Sequence, residues 1–263
     1  MSATTRTYVV TGAASGIGKA TAELLRSQGQ TVIGVDLHDT DITVDLTTDE
    51  GRTTMIDRVT ELSGGVVDGV LAVAGLSAPI VATAAVNYYG ALATLEGLRP
   101  LLTKSDAPRA VAVASMASLQ PADDALLDAF EHGTEEQALA RATELAGAGP
   151  EVGYIIYSTS KRALAKWIRR NAPSPEWAGA GIPLNAIAPG VVLTPMTADL
   201  VATEEGRKQL TEQVPMPLGG PFGPEVAADL LVWLSGVENS RLCGQVIFID
   251  GGSDAVIRGD STW

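Results

Sequence analysis

The sequence predicts an α/β fold, a parallel β-sheet covered by helices on both faces, and two observations carry that prediction. Short, nearly continuous runs of Val, Ile, Ala and Leu recur along the chain, separated by segments whose apolar residues repeat at helical spacing. Strands buried on both faces read as continuous apolar runs, whereas a strand with one wet face alternates, so this pattern belongs to a parallel sheet. A third observation bounds the size: 263 residues, 46% hydrophobic and 19% charged, make one α/β domain, with no low-complexity linker or internal repeat to divide it.

Taken in order, "TYVVT" (7–11) is a β-branched strand that stops at Gly12, and "GIGKATAELLRSQG" (16–29) is a helix with Ile17, Ala20, Leu24 and Leu25 on one side. "TVIGVD" (31–36) is a second strand, "DITVDL" (41–46) a third, and 49–62 a polar-faced helix turning Met55, Ile56, Val59 and Leu62 inward. A fourth strand falls at 66–75, mostly helix at 79–104, and a fifth strand at 109–115. The helix holding Lys161 runs to about Arg170, and strands at 182–189 and 244–250 flank a helix at 224–236. Two segments depart from this alternation. Residues 121–150 read as an insertion of two short acidic helices broken at Gly133, and 194–225, rich in Pro, Gly and Met, reads as a mobile lid.

Composition narrows the function. A formal charge of −13, with basic residues scattered rather than clustered, argues against nucleic acid as a partner. The single cysteine, Cys243, rules out an intrachain disulfide, and the N-terminus has no secretory-signal pattern, so a cytoplasmic location is expected. The apolar stretch 69–86 is broken by Gly75, Ser77 and Pro79, which favours a buried strand running into a helix over a membrane span. His38 and His132, the only histidines, stand far apart in the chain, and no metal site is expected.

"TGAASGIG" places Gly12, Gly16 and Gly18 between the first strand and the first helix. Glycines there allow a tight turn, let backbone N–H groups approach a pyrophosphate, and let the helix pack closely on the strand. Asp36 closes the second strand about twenty residues on, where a carboxylate accepts hydrogen bonds from a ribose diol and repels a 2′-phosphate. The neighbours Ser15, Leu37 and His38 supply no cation to welcome that phosphate. These residues predict a Rossmann-like, doubly wound sheet that takes NAD in preference to NADP.

In "YSTSK", Tyr157 and Lys161 are four apart and share a helical face. An ordinary phenol, with a pKa near 10, is almost entirely protonated at neutral pH, and a fixed ammonium nearby favours the phenolate. Tyr157 is then usable as an acid or base toward an alcohol or carbonyl. Tyr154 has Ser158 four residues later and therefore no comparable partner; it is expected to pack or to touch substrate.

Together with Asp45–Leu46, "AGL" after the fourth strand, Asn87 in "VNYYG", Ser115 in "VAVASMAS", "NAIAPGVVLTP" and "FIDGG", these motifs resemble the short-chain dehydrogenase/reductase family over almost the whole chain. The pattern is most similar to the subgroup of 3α-hydroxysteroid dehydrogenases/carbonyl reductases. The resemblance implies a catalytic set of Asn87, Ser115, Tyr157 and Lys161. In it Tyr157 exchanges the proton with the substrate oxygen, Ser115 holds that oxygen, Lys161 binds the nicotinamide ribose and depresses the phenol, and Asn87 carries a water. It further implies a cofactor groove of Gly12, Ser15, Gly16, Ile17, Gly18, Asp36, Leu37, Asp45, Leu46, Ala74, Gly75, Tyr157, Lys161, Pro189, Gly190, Val192 and Thr194. Two departures stand out. Ala72-Val73-Ala74-Gly75 replaces the usual Asn-Asn-Ala-Gly, removing a side-chain prop beneath the cofactor, and the segment from Gly75 to Asn87 is shorter than usual.

The lid residues Met196, Leu200, Val214, Met216, Leu218 and Phe222 point to a hydrophobic alcohol or ketone, of steroid, terpenoid or aryl type. Ser115, Tyr154, Met196 and Met216 are the expected substrate contacts. The family resemblance implies a homodimer or homotetramer. Two other readings stay open. One is a non-catalytic NAD-binding sensor or scaffold, which would not need the tyrosine and serine. The other is a hydrolase using Ser158 of the S-x-x-K stretch, whose companion S-D-N and K-T-G motifs the chain lacks.

Overall fold

A computed structural model of the chain describes residues 5–198 and 202–261; Leu200 lies outside the described residues. Seven strands form one parallel sheet: β1 (Thr7–Thr11), β2 (Thr31–Asp36), β3 (Ile42–Thr43), β4 (Gly69–Ala72), β5 (Arg109–Val113), β6 (Leu184–Pro189) and β7 (Val246–Ile249). Their order is β3-β2-β1-β4-β5-β6-β7. The chain builds outward from β1 to β3, crosses back to β4 on the other side of β1, and builds outward again. The crevice where that reversal happens, beyond the C-terminal ends of β1 and β4, is where open α/β sheets bind ligands.

Helices cover both faces. On one lie α1 (Gly16–Ser27) and the later helix Pro224–Ser235; on the other lie α2 (Asp49–Leu62), a short α3 (Val81–Ala84), α4 (Ala91–Leu102), α5 (Asp124–His132), α6 (Glu135–Gly147), α7 (Pro150–Gly153) and α8 (Ile155–Asn171). Strand periodicity of two divides the core. Val9, Val70, Ala110 and Ala112 pack with Met55, Leu95, Leu98, Leu164 and Ile168 on the second face. Tyr8, Val10, Leu71, Val111 and Ile187 pack with Ala22, Leu25, Leu231 and Leu234 on the first. All of β4, β5 and β6 is buried, which explains their largely apolar sequences; the two buried exceptions donate to backbone, Arg109 to the Gly236 carbonyl and Asn185 to the Leu242 carbonyl. No helix among the described residues is long and apolar enough to cross a membrane.

Four elements differ from the sequence reading. The fourth strand, expected over 66–75, keeps only Gly69–Ala72. The third strand, expected over 41–46, is cut to two residues. Val44 still donates to the Asp36 carbonyl, but Asp45 then turns its own Oδ1 to accept from the Thr47 N–H and hydroxyl, at 2.8 and 2.7 Å. A side chain that captures a backbone N–H two residues on makes a turn, and the ladder ends there. The helix expected over 79–104 is interrupted by a π-helical turn, Ala85–Gly90, between α3 and α4. The fifth strand ends at Val113, because Ser115 accepts from the Ala117 N–H at 3.1 Å and caps a 3₁₀ turn, Met116–Leu119.

The insertion is the expected pair of helices. Asp123 caps α5 by accepting from Leu126 N–H, and Thr134 with Gln137 forms a reciprocal capping box on α6. Leu126, Phe130, Ala138, Ala142 and Leu145 are buried against the domain. The segment following β6 includes a 3₁₀ turn, Pro195–Thr197, and α9 (Glu204–Gln213); α10 is the helix Pro224–Ser235 and α11 is Ser253–Arg258.

Candidate active site

The turn after β1 is built for close approach. Gly12 and Gly16 have φ of +72° and +52°, in the left-handed region that favours glycine. A Cβ on Gly18 would stand 2.1 Å from the Gly12 carbonyl oxygen, so only glycine lets α1 lie this close to the strand end. Ser15, the residue before α1, makes no side-chain cap, and the first turn of α1 carries no acidic residue. The N–H groups and positive dipole end of that helix therefore face the crevice uncompensated by the chain itself. Thr194 closes the turn from above, its Cγ2 3.3 Å from the place a Gly16 Cβ would occupy.

Asp36 ends β2 with its carboxylate fixed at two points. Oδ2 accepts from Ala14 N–H at 2.9 Å and Oδ1 from Leu37 N–H at 2.6 Å, which ties the carboxylate to the glycine turn and leaves lone pairs for a diol. Beneath the crevice, buried Thr11 accepts from the N–H groups of both Val73 and Ala74, at 3.0 and 3.1 Å. This hydroxyl joins the ends of β1 and β4 where the family's usual asparagine is missing. Sequence reasoning missed Thr11, although a polar residue closing an apolar strand next to Gly12 was a visible signal.

At the other end, Tyr157 near the start of α8 and Ser115 just beyond the end of β5 line the same cleft. Burial pushes the phenol above the ordinary tyrosine value, and the Ser115 hydroxyl works against that rise. Lys161, one turn further along α8, is buried; its Nζ donates to the Val113 carbonyl at 2.8 Å and stands 5.9 Å from the centre of the Tyr157 ring. Desolvation pulls its pKa down to about 8. The expected depression of the phenol by this ammonium does not appear in the chain alone, where burial dominates Tyr157.

Asn87 lies in the π-helical turn, fully buried. Its Oδ1 accepts from Leu76 N–H at 2.8 Å, and its Nδ2 donates to the Leu76 carbonyl and to Ser160 Oγ, at 2.9 and 3.1 Å. A Cβ built on Gly75 would meet Asn87 Oδ1 at 2.9 Å and Lys161 Nζ at 3.3 Å, so the two side chains converge on this glycine. The extra residue of a π turn re-aims a side chain without lengthening the segment, which reconciles the short Gly75-to-Asn87 stretch with a side chain beside Lys161.

One continuous cleft of about 360 Å³ joins these parts. Every residue expected to line the cofactor groove, from Gly12 to Thr194, lies on it, together with Ser115 and Met196. His38, Thr47, Leu76 and Val86 also line it and were not expected. Two expected substrate contacts do not line it. Met216 is buried with Met116, Val191 and Val214 behind Gly190, its thioether accepting from Val191 N–H at 3.3 Å, because the lid segment folds back into a small core of its own. Tyr154 is half-exposed, at the junction of α7 and α8, with its carbonyl accepting from Tyr157 N–H. His38 pairs with Asp39 and His132 with Asp128. Ser158, the nucleophile of the hydrolase reading, is buried and donates to the Pro121 carbonyl at 2.6 Å.

Sequence and structure comparisons agree with this geometry. A family model described as enoyl-(acyl carrier protein) reductase matches residues 12–254. The chain is 35% identical to the 3-alpha-hydroxysteroid dehydrogenase/carbonyl reductase of Comamonas testosteroni, over 95% of this chain and 97% of that protein. It is 30% identical to a coniferyl-alcohol dehydrogenase of Pseudomonas sp. (strain HR199), over 96% and 98% of the two chains. The crystal structure of the 3-alpha-hydroxysteroid dehydrogenase from Pseudomonas sp. B-0831 complexed with NADH superposes with a TM-score of 0.86, at 37% identity, covering 97% of this chain and 99% of that one. With a family model spanning nearly the whole chain, and the glycine turn, serine, tyrosine and lysine gathered on one cleft, the protein is an oxidoreductase of the short-chain dehydrogenase/reductase family.

Proposed function

We propose that the protein interconverts a hydrophobic secondary alcohol and its ketone, with NAD(H) as the redox partner. The observation that carries this reading is the gathering of Ser115, Tyr157 and Lys161 at the end of β5, on a cleft that also holds the Asp36 carboxylate. A bound nicotinamide dinucleotide supplies or accepts the hydride at the carbinol carbon. The chain supplies the rest. Ser115 donates a hydrogen bond to the substrate oxygen and fixes it beside the phenol; Tyr157 gives its proton to that oxygen in reduction and takes it back in oxidation. Lys161, held by the Val113 carbonyl, and Asn87, converging with it on Gly75, line the route by which the phenol is reprotonated. Asp36 favours a free ribose diol and disfavours a 2′-phosphate.

The substrate class rests on apolar residues of the cleft. Leu76 and Met196 line the cleft and are partly exposed, and Leu193, close to Met196 in sequence, is exposed as well. The names of two relatives, a 3-alpha-hydroxysteroid dehydrogenase/carbonyl reductase and a coniferyl-alcohol dehydrogenase, support a bulky alcohol of steroid, terpenoid or aryl type. Family membership makes a homodimer or homotetramer the expected assembly, which sedimentation measures directly.

The test is spectrophotometric. Purified protein is given NAD or NADP and a panel of hydrophobic secondary alcohols that includes a 3α-hydroxysteroid, at alkaline pH. Turnover with NAD, lost by at least about 100-fold in Tyr157→Phe while NADH still binds, is the expected result. Undiminished turnover in that variant overturns the role of Tyr157, and faster turnover with NADP overturns the role of Asp36.

A further inference from the structure

We propose that Glu135, on the helical insertion, is a positioning residue for the wall of the cleft formed by Leu46 and Thr47, and that it acts through Arg52. The proposal rests on the dinucleotide reading above and adds to it a task for the insertion, which neither the sheet nor the glycine turn requires.

Arg52 lies in the first turn of α2 with its side chain 8% exposed. Its guanidinium meets Glu135 in a two-pronged pair, Nη1 to Oε2 and Nη2 to Oε1, both at 2.7 Å. The remaining donors turn the other way. Nε donates to the Leu46 carbonyl at 2.8 Å and Nη2 also to the Thr47 carbonyl at 3.3 Å; Nη1 reaches Asp49 Oδ1 at 3.2 Å. Leu46 and Thr47 line the cleft beside Asp45 and Leu37. The loop is wrapped tightly on the start of α2, since a Cβ on Gly51 would stand 1.9 Å from the Asp45 carbonyl oxygen. Arg52 is therefore the internal strut of this wall.

A planar guanidinium can hold a carboxylate on one edge and carbonyls on another only while its orientation is fixed, and a buried cation is tolerable only while it is paired. Asp49 cannot fix it, being 95% exposed. Glu135 can. It stands in the first turn of α6, whose start is locked by the Thr134–Gln137 capping box, and it is 83 residues from Arg52 in the chain. The Tyr89 ring, 5.8 Å from the guanidinium carbon, packs on the same group. Without the Glu135 charge, Arg52 gains by turning toward water, and the Leu46 and Thr47 carbonyls lose their donor. The wall is then ordered only when ligand binds, at the expense of affinity.

The test compares Glu135→Gln and Arg52→Lys with Glu136→Gln, an exposed neighbour on the same helix. Dissociation constants for NADH and for AMP are measured by titration, and hydrogen exchange of residues 43–51 is followed in the protein alone. Both site variants should raise the two dissociation constants together by about fivefold, and should speed exchange across 43–51, with Glu136→Gln at wild-type values. A purely structural anchor would lower the thermal midpoint without these changes. Folded Glu135→Gln protein with unchanged affinities and unchanged exchange overturns the proposal. Wild-type protein that binds neither NADH nor AMP overturns the dinucleotide reading instead, and the exchange rates then decide for or against the strut.

Discussion

Lys161 illustrates how one buried group links the site to stability. Desolvation holds it at about 8, against an ordinary value of 10.5. Between those two values the folded chain binds fewer protons than the unfolded chain, so this group makes stability rise with pH across that window. Below pH 8 the folded state carries the full penalty of an enclosed ammonium. Tyr157 acts in the opposite sense only above its ordinary value of 10, where the folded chain keeps a proton that the unfolded chain releases. Lys161→Met removes the first effect. In urea unfolding at pH 7.5, 8.5 and 9.5, wild-type stability should therefore gain on the variant as pH rises, by at most about 3 kcal/mol over the whole window. Parallel pH profiles for the two proteins would refute the desolvated ammonium. At this scale the sequence was informative wherever chemistry dictates residue type. That Tyr157, Lys161, Ser115 and Asp36 share one cleft was legible, whereas the direction in which Lys161 spends its proton, toward the Val113 carbonyl, depends on a neighbour 48 residues away.

At the scale of elements, the glycine turn is a tightly constrained joint. Gly18 is an ordinary helical residue by its backbone angles, yet its missing Cβ is what brings α1 onto the end of β1. Gly18→Ala should force the two apart, lowering stability by about 1–3 kcal/mol and weakening NADH binding. Gly147→Ala is the control: no atom lies within 4 Å of its added Cβ, so the stability should hold or rise by up to about 1 kcal/mol. Thermal melts of the two variants separate steric need from helix propensity, and equal losses would show that the close approach at Gly18 is not what matters. The strands and helices were readable because apolar periodicity reports burial directly. The truncation of β3 and the π-helical turn at Asn87 were not, since an aspartate folding onto Thr47 and one extra residue per turn leave no mark in hydrophobic pattern. The short stretch from Gly75 to Asn87 was the only trace of the second.

At the scale of the whole molecule, a sheet that reverses direction between β1 and β4 leaves a crevice open on one side, and the segment after β6 borders it with Thr194, Pro195, Met196 and Thr197. The two feet of that segment are fastened together. Val192 bridges Phe222, Leu193 N–H donates to the Phe222 carbonyl at 2.8 Å, Phe222 N–H to the Val191 carbonyl at 3.2 Å, and Leu218 N–H to the Gly251 carbonyl at 2.9 Å. Met216 is the apolar pin beneath them, buried with Met116, Val191 and Val214 and wedged between Gly190 and Gly251. This placement explains why a methionine-rich stretch that reads as substrate lining is only partly so: Met196 faces the cleft, and Met216 holds the frame. Met216→Ala leaves a cavity under both feet and should lower stability by about 2–5 kcal/mol. It should also admit protease to 195–213 well below the global transition, because a foot that lifts releases the stretch between the fastenings. Limited proteolysis with mass spectrometry reads the cut sites. Cleavage confined to 195–213 would show that Met216 fastens this segment locally, and cleavage spread through the sheet would mean that Met216 supports the domain as a whole.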